Sequence, residues 1–594
     1  MKKLTPNSER TLPVKKNLHP FYFQTVLFSI LVGLFSASLA YADAGAPSVT
    51  DEEKRLKEGS FLKDKAVSEA AAPKPAVIQK ETPPPPPPPP SSSKLSVTFK
   101  LKSVKFSGNE SVDSKDLEEV VKPILNRDIV FLNVMDAISD LKRLYRDRGF
   151  VATYIYAPEQ DVKSGVLEIK ILEGKLGKID FTGNKFHSTA LLSRYIKIKP
   201  NDIIRYNNFK AGLTRLNKNE DINATAVLKP GSATGTTDIE VKSDDRSPIH
   251  LGIDANNLGT KDTGIYRYGL SVADSNLFGN LDELNGRFSI GSGAWATGES
   301  YNIPINDIGT RVGLGISYAK IDVAGDFNAL GLEGISETYS PYFSHPLIER
   351  EDVDVTLNAG LDVKRVKNYA LGALASQDDL RILNTGLNFD ERDETGRSFA
   401  PQTFSWGLGR FLGGADKIDE HAIRADTGGA FFVYRGSYVR YQRLPWYELM
   451  FTFRSAWQLT QDRLPSSEQF RIGGSSTVRG YKESEYSSDN GGFGSGELMA
   501  PIYFIPKSVK LPFSKEELRS QIQMVGFIDF GDGTLKRPEA GERTRHSLTG
   551  MGFGLRAHLY DKYYGRIQWG FPIGSTASDT RGSTFYFGVS AELL

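Results

Sequence analysis

Val353-Asp354-Val355-Thr356-Leu357-Asn358-Ala359-Gly360-Leu361-Asp362-Val363-Lys364 is the stretch that decides the fold. Its odd positions are all apolar, and its even positions are charged, polar or glycine. A period of two belongs to a β-strand whose faces meet different surroundings. Strands of about ten residues with one apolar face and one charged face are what a transmembrane barrel needs, with lipid outside and water inside. In a soluble β-sandwich or β-helix the same strands leave a charged interior or an apolar exterior.

The pattern recurs on both sides. Leu284, Gly286, Phe288 and Ile290 alternate with Glu283, Asn285, Arg287 and Ser289. Tyr447, Leu449, Phe451 and Phe453 alternate with Glu448, Met450, Thr452 and Arg454, and Met551, Phe553, Leu555, Ala557 and Leu559 with Gly552, Gly554, Arg556 and His558. Residues 244–594 therefore read as a membrane β-barrel. At roughly ten residues per strand this length holds about sixteen antiparallel strands, and fourteen or eighteen fit nearly as well. Charges such as Asp354 and Asp362 read as a hydrated inner wall.

Composition agrees. The mean hydropathy of −0.33 and the 39% hydrophobic content exclude a bundle of apolar transmembrane helices, while 57 Gly, 34 Phe and 25 Tyr suit a barrel. With 73 basic and 72 acidic residues, the bulk charge favours no nucleic acid partner. The absence of cysteine removes disulfides, thiolate metal sites and cysteine nucleophiles. Seven scattered histidines, with no H-E-x-x-H and no G-x-S-x-G, give no catalytic residues, no metal site and no cofactor, so no enzyme is expected.

Upstream, residues 96–174 and 175–243 read as one β-α-α-β-β unit written twice. In the first copy Val97 to Phe106 alternates as a strand, Ser114 caps one helix and Asn133 a second, and strands follow at Val151 to Tyr156 and Val166 to Leu172. Phe106-Ser107-Gly108-Asn109 recurs as Phe181-Thr182-Gly183-Asn184. The second copy then carries helices near Thr189 to Ile196 and Asn207 to Asn217 and strands Asn223 to Lys229 and Thr237 to Lys242. Units this small suit interaction rather than catalysis, and an edge strand can accept an extended peptide.

The first 95 residues read as targeting and tether. Residues 1–42 have the form of a signal peptide: Lys2, Lys3, Arg10, Lys15 and Lys16, an apolar stretch around Val26 to Phe35, then Ala40-Tyr41-Ala42. An uncleaved anchor over Phe21 to Leu39 is the alternative. Thr50-Asp51-Glu52-Glu53 has capping-box form and opens a polar helix within 43–72, and residues 73–95 hold eight consecutive prolines, Pro83 to Pro90, as a stiff linker.

Within the barrel region, Arg471-Ile472-Gly473-Gly474 precedes Val478-Arg479-Gly480-Tyr481, and a Gly- and Ser-rich stretch runs from Ser484 to Gly496 before strand character resumes at Glu497. Further on, Gln521, Gln523, Val525, Phe527 and Asp529 share one strand face, which places Asp529 toward the lumen, within reach of a loop arginine.

With these motifs the chain resembles the two-partner secretion transporters (the TpsB family), relatives of the BamA-type assembly factors. The resemblance implies a sixteen-stranded outer-membrane barrel, two periplasmic POTRA domains and an N-terminal plug helix. It implies a sixth extracellular loop folded into the pore with Val478, Arg479, Gly480 and Tyr481 at its tip, and Phe527 and Asp529 as the wall motif that receives Arg479. It further implies a monomeric pore in outer-membrane lipid that exports a large unfolded partner protein, a TpsA-type haemolysin, adhesin or toxin, without ATP. A barrel-assembly factor is the alternative function.

Overall fold

The computed structural model describes residues 78–80 and 98–594, apart from 234, 324–328, 351, 514–515, 540–541 and 575–581. The signal-peptide and plug-helix readings, and nearly all of the linker, lie outside the described residues. Two small α+β units precede a closed barrel.

Both units repeat one plan. In the first, Ser103–Ser107 runs parallel to Val166–Leu172, and Tyr154–Tyr156 pairs antiparallel on the far side of that strand. Helices Ser114–Val121 and Phe131–Asp147 press Leu117, Val121, Val134, Ile138 and Leu141 onto Ile155, Ile169 and Ile171. In the second, Lys175–Thr182 runs parallel to Thr236–Ser243, which pairs with Ala224–Pro230. Helices Thr189–Tyr195 and Tyr206–Leu216 bury Leu191, Leu192, Phe209 and Leu213 against Ala226, Ile239 and Val241. The outer edge of Ala224–Pro230 is not open: Ile78–Lys80 pairs with it in parallel.

The repeated tetrapeptide makes the same turn twice. Gly108 and Gly183 have φ of 85° and 84°, and a Cβ on either would lie 2.1 Å from the Ile171 carbonyl oxygen or 2.4 Å from that of Ser243. Asn109 and Asn184 then donate to the carbonyls of Val112 and His187. An acidic side chain just past each third strand takes the turn's amides: Glu173 accepts from Ser111 N, and Asp245 accepts from Lys185, Phe186 and His187 N.

Local boundaries differ from the sequence reading in several places: the strand expected over Val151 to Tyr156 is only Tyr154–Tyr156, and Gln521 closes a helical turn ahead of strand Ile522–Thr534. The strand expected over Val97 to Phe106 is broken into Phe99–Lys100 and Ser103–Ser107, because Leu101 turns fully into the core and its backbone bonds Arg127 and Asn126 instead. The cap of the first helix is Asp113, whose carboxylate accepts from Lys115 N, and Asn133 lies inside the second helix, its side chain reaching back to Val130 N. Tyr447 and Glu448 form a turn with φ near 54°, so that strand begins at Met450. Finally, Ser484 to Gly496 is not all loop. Tyr486–Ser488 pairs with Phe470–Ile472, and the barrel strand starts at Asn490. Side chains of the neighbouring strand explain how a glycine run stays in a strand: the rings of Phe453 and Phe451 lie over Gly494 and Gly496, and the Trp457 Cβ packs beside Gly492.

The barrel has sixteen antiparallel strands, from Ile249–Asn256 to Thr584–Glu592, and the last pairs with the first. Closure leaves no unpaired strand edge to face lipid. The alternation holds: Met551, Phe553 and Leu555 are exposed on the outer face, while Lys364, Arg381 and Glu497 are buried inside. Asp362 accepts from Ser340 and Asn384 on the inner wall. Asp354 does more than line the wall, since it bonds Lys218 of the second unit. That unit sits against the barrel's turns on the same end, through Arg215 to Glu349 at 2.7 Å and His250 to Asp221 at 2.9 Å. Of the connections at the opposite end, residues 408–431, 461–489 and 535–544 are the fifth, sixth and seventh.

Candidate functional site

Loop 6, residues 461–489, leaves strand Met450–Thr460 and folds back into the barrel. Its tip is Val478-Arg479-Gly480-Tyr481, and all four residues are buried. Val478 and Tyr481 pack with Ile472 and Leu548, so the tip has a small apolar core of its own.

Arg479 makes the central contact. Its Nε donates to Asp529 Oδ2 at 2.7 Å and its Nη2 to Asp529 Oδ1 at 2.7 Å, the side-by-side geometry that matches a guanidinium to a carboxylate. The Arg479 amide also donates to Asp529 Oδ2 at 3.0 Å. Nη1 donates to Glu497, and Nη2 to Ser495 Oγ at 3.1 Å. Four side-chain N–H groups are thereby satisfied, and the guanidinium carbon lies 3.5 Å from the centre of the Phe527 ring. Strand register explains the convergence: Asp529 pairs with Ser495 and Phe527 with Glu497 on the same inner face. Phe527 and Asp529 thus lie side by side with Glu497 and Ser495 around the guanidinium.

Several partners were missed by that reading. Glu497 is fully buried and is shared with Arg556 at 2.7 Å and Arg454 at 3.8 Å, which balances the second carboxylate. Tyr586, on the last strand, accepts from Gly480 N and donates to Tyr481 O at 2.7 Å. Gly480 has φ of 102°, a conformation an L side chain rarely adopts. Two wall glycines make room for the tip: a Cβ on Gly550 would lie 1.8 Å from the Arg479 carbonyl oxygen, and one on Gly570 would lie 2.5 Å from Gly480 N. The only sequence signal for Glu497 is its place on the polar face of a strand, and glycines are too common in this chain to single out two.

Loop 6 is held above the tip as well. Glu468 receives Lys364 at 2.9 Å and Arg435 at 2.8 Å from two different strands, and Gln458 Nε2 donates to the carbonyls of Glu468 and Asp489. The lumen beside the tip is lined by Arg454, Gln523, Arg556, Arg566 and Gln568. Among the described residues no group of His, Asp and Glu is arranged to hold a metal, and no helix is long and apolar enough to cross a membrane. The space beside the tip is thus a polar stretch of lumen lined mainly by arginine and glutamine.

A closed barrel crossed by an ion-paired loop and preceded by two β-α-α-β-β units defines an outer-membrane pore with POTRA domains. The family model for haemolysin secretion/activation protein ShlB/FhaC/HecB matches residues 235–557, more than half of the chain, and the ShlB-type POTRA domain matches 99–174. The chain belongs to this family. The outer membrane transporter CdiB of Dickeya dadantii (strain 3937) is 23% identical over 421 residues, covering 69% of this chain and 73% of that protein. The heme/hemopexin transporter protein HuxB of Haemophilus influenzae (strain ATCC 51907 / DSM 11121 / KW20 / Rd) is 22% identical over 512 residues, covering 84% and 87%. In fold, the solved structure of CdiB from Escherichia coli superposes with a TM-score of 0.68 at 19% identity, covering 93% of this chain and all of that one. The protein is an outer-membrane transporter of the TpsB type, with its POTRA domains in the periplasm.

Proposed function

We propose that this transporter takes an unfolded secreted partner from the periplasm and exports it through the barrel without ATP, as a monomeric pore in outer-membrane lipid. The observation that carries the reading is the buried contact of Arg479 with Asp529 and Glu497, which holds a loop across the lumen by exchangeable bonds. A loop held this way has two positions open to it, in and out, and cargo shifts the balance between them. Arg479 performs no chemistry, and the protein is not an enzyme.

Cargo enters as an added strand on the first POTRA domain. Tyr154–Tyr156 is the last strand of its sheet, whereas the matching edge of the second unit is already taken by Ile78–Lys80. The partner is a large secreted protein of the haemolysin, adhesin or toxin kind, and folding of the cargo outside the cell supplies the driving force. The polar lumen also suits the polar helix read within 43–72 as its plug.

Arg479→Ala and Asp529→Ala are expected to leave a folded barrel in the membrane and to cut secretion of the partner sharply. Secretion at the parental level by both variants would take the loop contact out of the mechanism.

A further inference from the structure

A second buried charge closes loop 6 nearer the extracellular rim. Asp489 stands where loop 6 re-enters the wall, one residue before strand Asn490–Pro501, and it is fully buried. Its Oδ1 accepts from Arg424 Nη1 at 2.6 Å and from Leu464 N at 3.0 Å. Its Oδ2 accepts from Arg424 Nη2 at 3.2 Å and from Lys536 N at 2.7 Å. Arg424 belongs to loop 5, Leu464 to the outgoing limb of loop 6 and Lys536 to loop 7. One carboxylate thus gathers donors from three extracellular loops.

The surrounding contacts run the same way. Arg424 Nη1 also donates to the Leu464 carbonyl at 3.0 Å, Arg463 of loop 6 meets Glu539 of loop 7 at 2.6 Å, and the Tyr486 hydroxyl donates to the Arg543 carbonyl at 2.7 Å. A buried carboxylate is costly unless fully bonded, and an apolar side chain would fill the same space without that demand. What the carboxylate adds is a linkage that three loops share and that parts as a unit.

We propose that Asp489 is a positioning residue that ties extracellular loops 5, 6 and 7 into a single lid, so that the pore opens fully only when this hub and the Arg479 tip both separate. The tip contact lies inside the barrel wall and the hub at its rim, so the two locks act in series. Releasing the tip alone leaves the mouth covered. The role in cargo passage rests on the export reading, but closure of the empty pore does not.

The test uses the purified full chain. Because the protein has no cysteine, spin labels at Glu420→Cys in loop 5 and Arg543→Cys in loop 7, both exposed, report one distance without background. Asp489→Asn and Arg424→Gln are each expected to broaden that distance distribution several-fold. Either is expected to raise open-channel conductance in planar bilayers well above that of Arg479→Ala when combined with it. The two hub variants together should go no further than Asp489→Asn alone, since Arg424 is tied to loop 7 through that carboxylate. An unchanged distance and conductance in both variants would overturn the proposal, as would effects of the two that add in full. Heat-modifiable electrophoretic mobility verifies folding, and if Asp489→Asn fails to fold, Arg424→Gln decides alone, because it leaves the Leu464 and Lys536 amides on Asp489. Neither readout uses cargo, so a failure here leaves the export reading standing, and a failure of that reading leaves the hub standing.

Discussion

Single side chains carry the largest energies in this protein where a charge is buried. Removing Arg479 would strand Asp529 in the wall while Glu497 keeps Arg556, and breaking a buried pair in this way costs about 3–5 kcal/mol. That is enough to expel the tip but small beside the ladder of backbone bonds around sixteen strands, so loop and barrel respond separately. Asp245 shows the same principle outside the membrane. Burial alone would raise its pKa, but the amides of Lys185, Phe186 and His187 and the His187 ring hold the carboxyl below the usual carboxylate range. A folded pKa below the unfolded one means that the stabilisation is complete above the unfolded value and is lost as pH falls through the folded value. The second POTRA unit should therefore weaken only in acid, below about pH 4. Asp245→Asn should cost about 1–3 kcal/mol and abolish that acid dependence. Hydrogen exchange at amides 185–187 checks both points, and wild-type protection in the variant would contradict them. Arg479 and Asp529 were legible in the sequence because a motif and a strand face named them. Asp245 was not, because nothing in one dimension says that it returns to a turn about sixty residues earlier.

At the scale of elements, loop 6 and the wall are shaped for each other by what the wall lacks. Gly550 on Arg545–Leu559 and Gly570 on Tyr563–Pro572 face the tip backbone, and any side chain there would occupy its place. Gly550→Ala should displace the tip and raise conductance of the empty pore, at a cost of about 1–3 kcal/mol in packing. Gly526→Ala, in Ile522–Thr534 on an adjoining strand, should be silent, because a Cβ there meets nothing within 4 Å. Equal conductance of the two variants would show that the tip does not depend on the cradle. Strand period and helix spacing were readable because each follows from neighbours in the chain. The cap at Asp113 was misread by one residue because Asp113 and Ser114 are both capping types and only the backbone geometry chooses between them, while the strand through Gly491 to Gly496 was misread because it depends on side chains supplied by another strand.

At the scale of the whole molecule, the second POTRA unit is clamped to the periplasmic turns by charge. Arg215 and Lys218 share Glu349, Lys218 also reaches Asp354, and His250 joins Asp221 to Glu592 of the last strand. Partly exposed pairs of this kind are worth up to about 1 kcal/mol each and weaken with salt. Arg215→Ala with Lys218→Ala should widen the distance distribution between labels on this unit and on the barrel rim, as high salt should in the parent. An unaltered distribution would place the clamp elsewhere. The barrel, the repeated POTRA unit and the tip motif can be read from the chain alone, because alternation, repeats and short motifs are local and survive in one dimension. The closed sixteen-strand register, the sharing of Glu497, the glycine cradle and the Asp489 hub emerge only in three dimensions. Those rest on side chains far apart in the chain meeting in a low-dielectric wall, where a charge is stable only if every partner arrives.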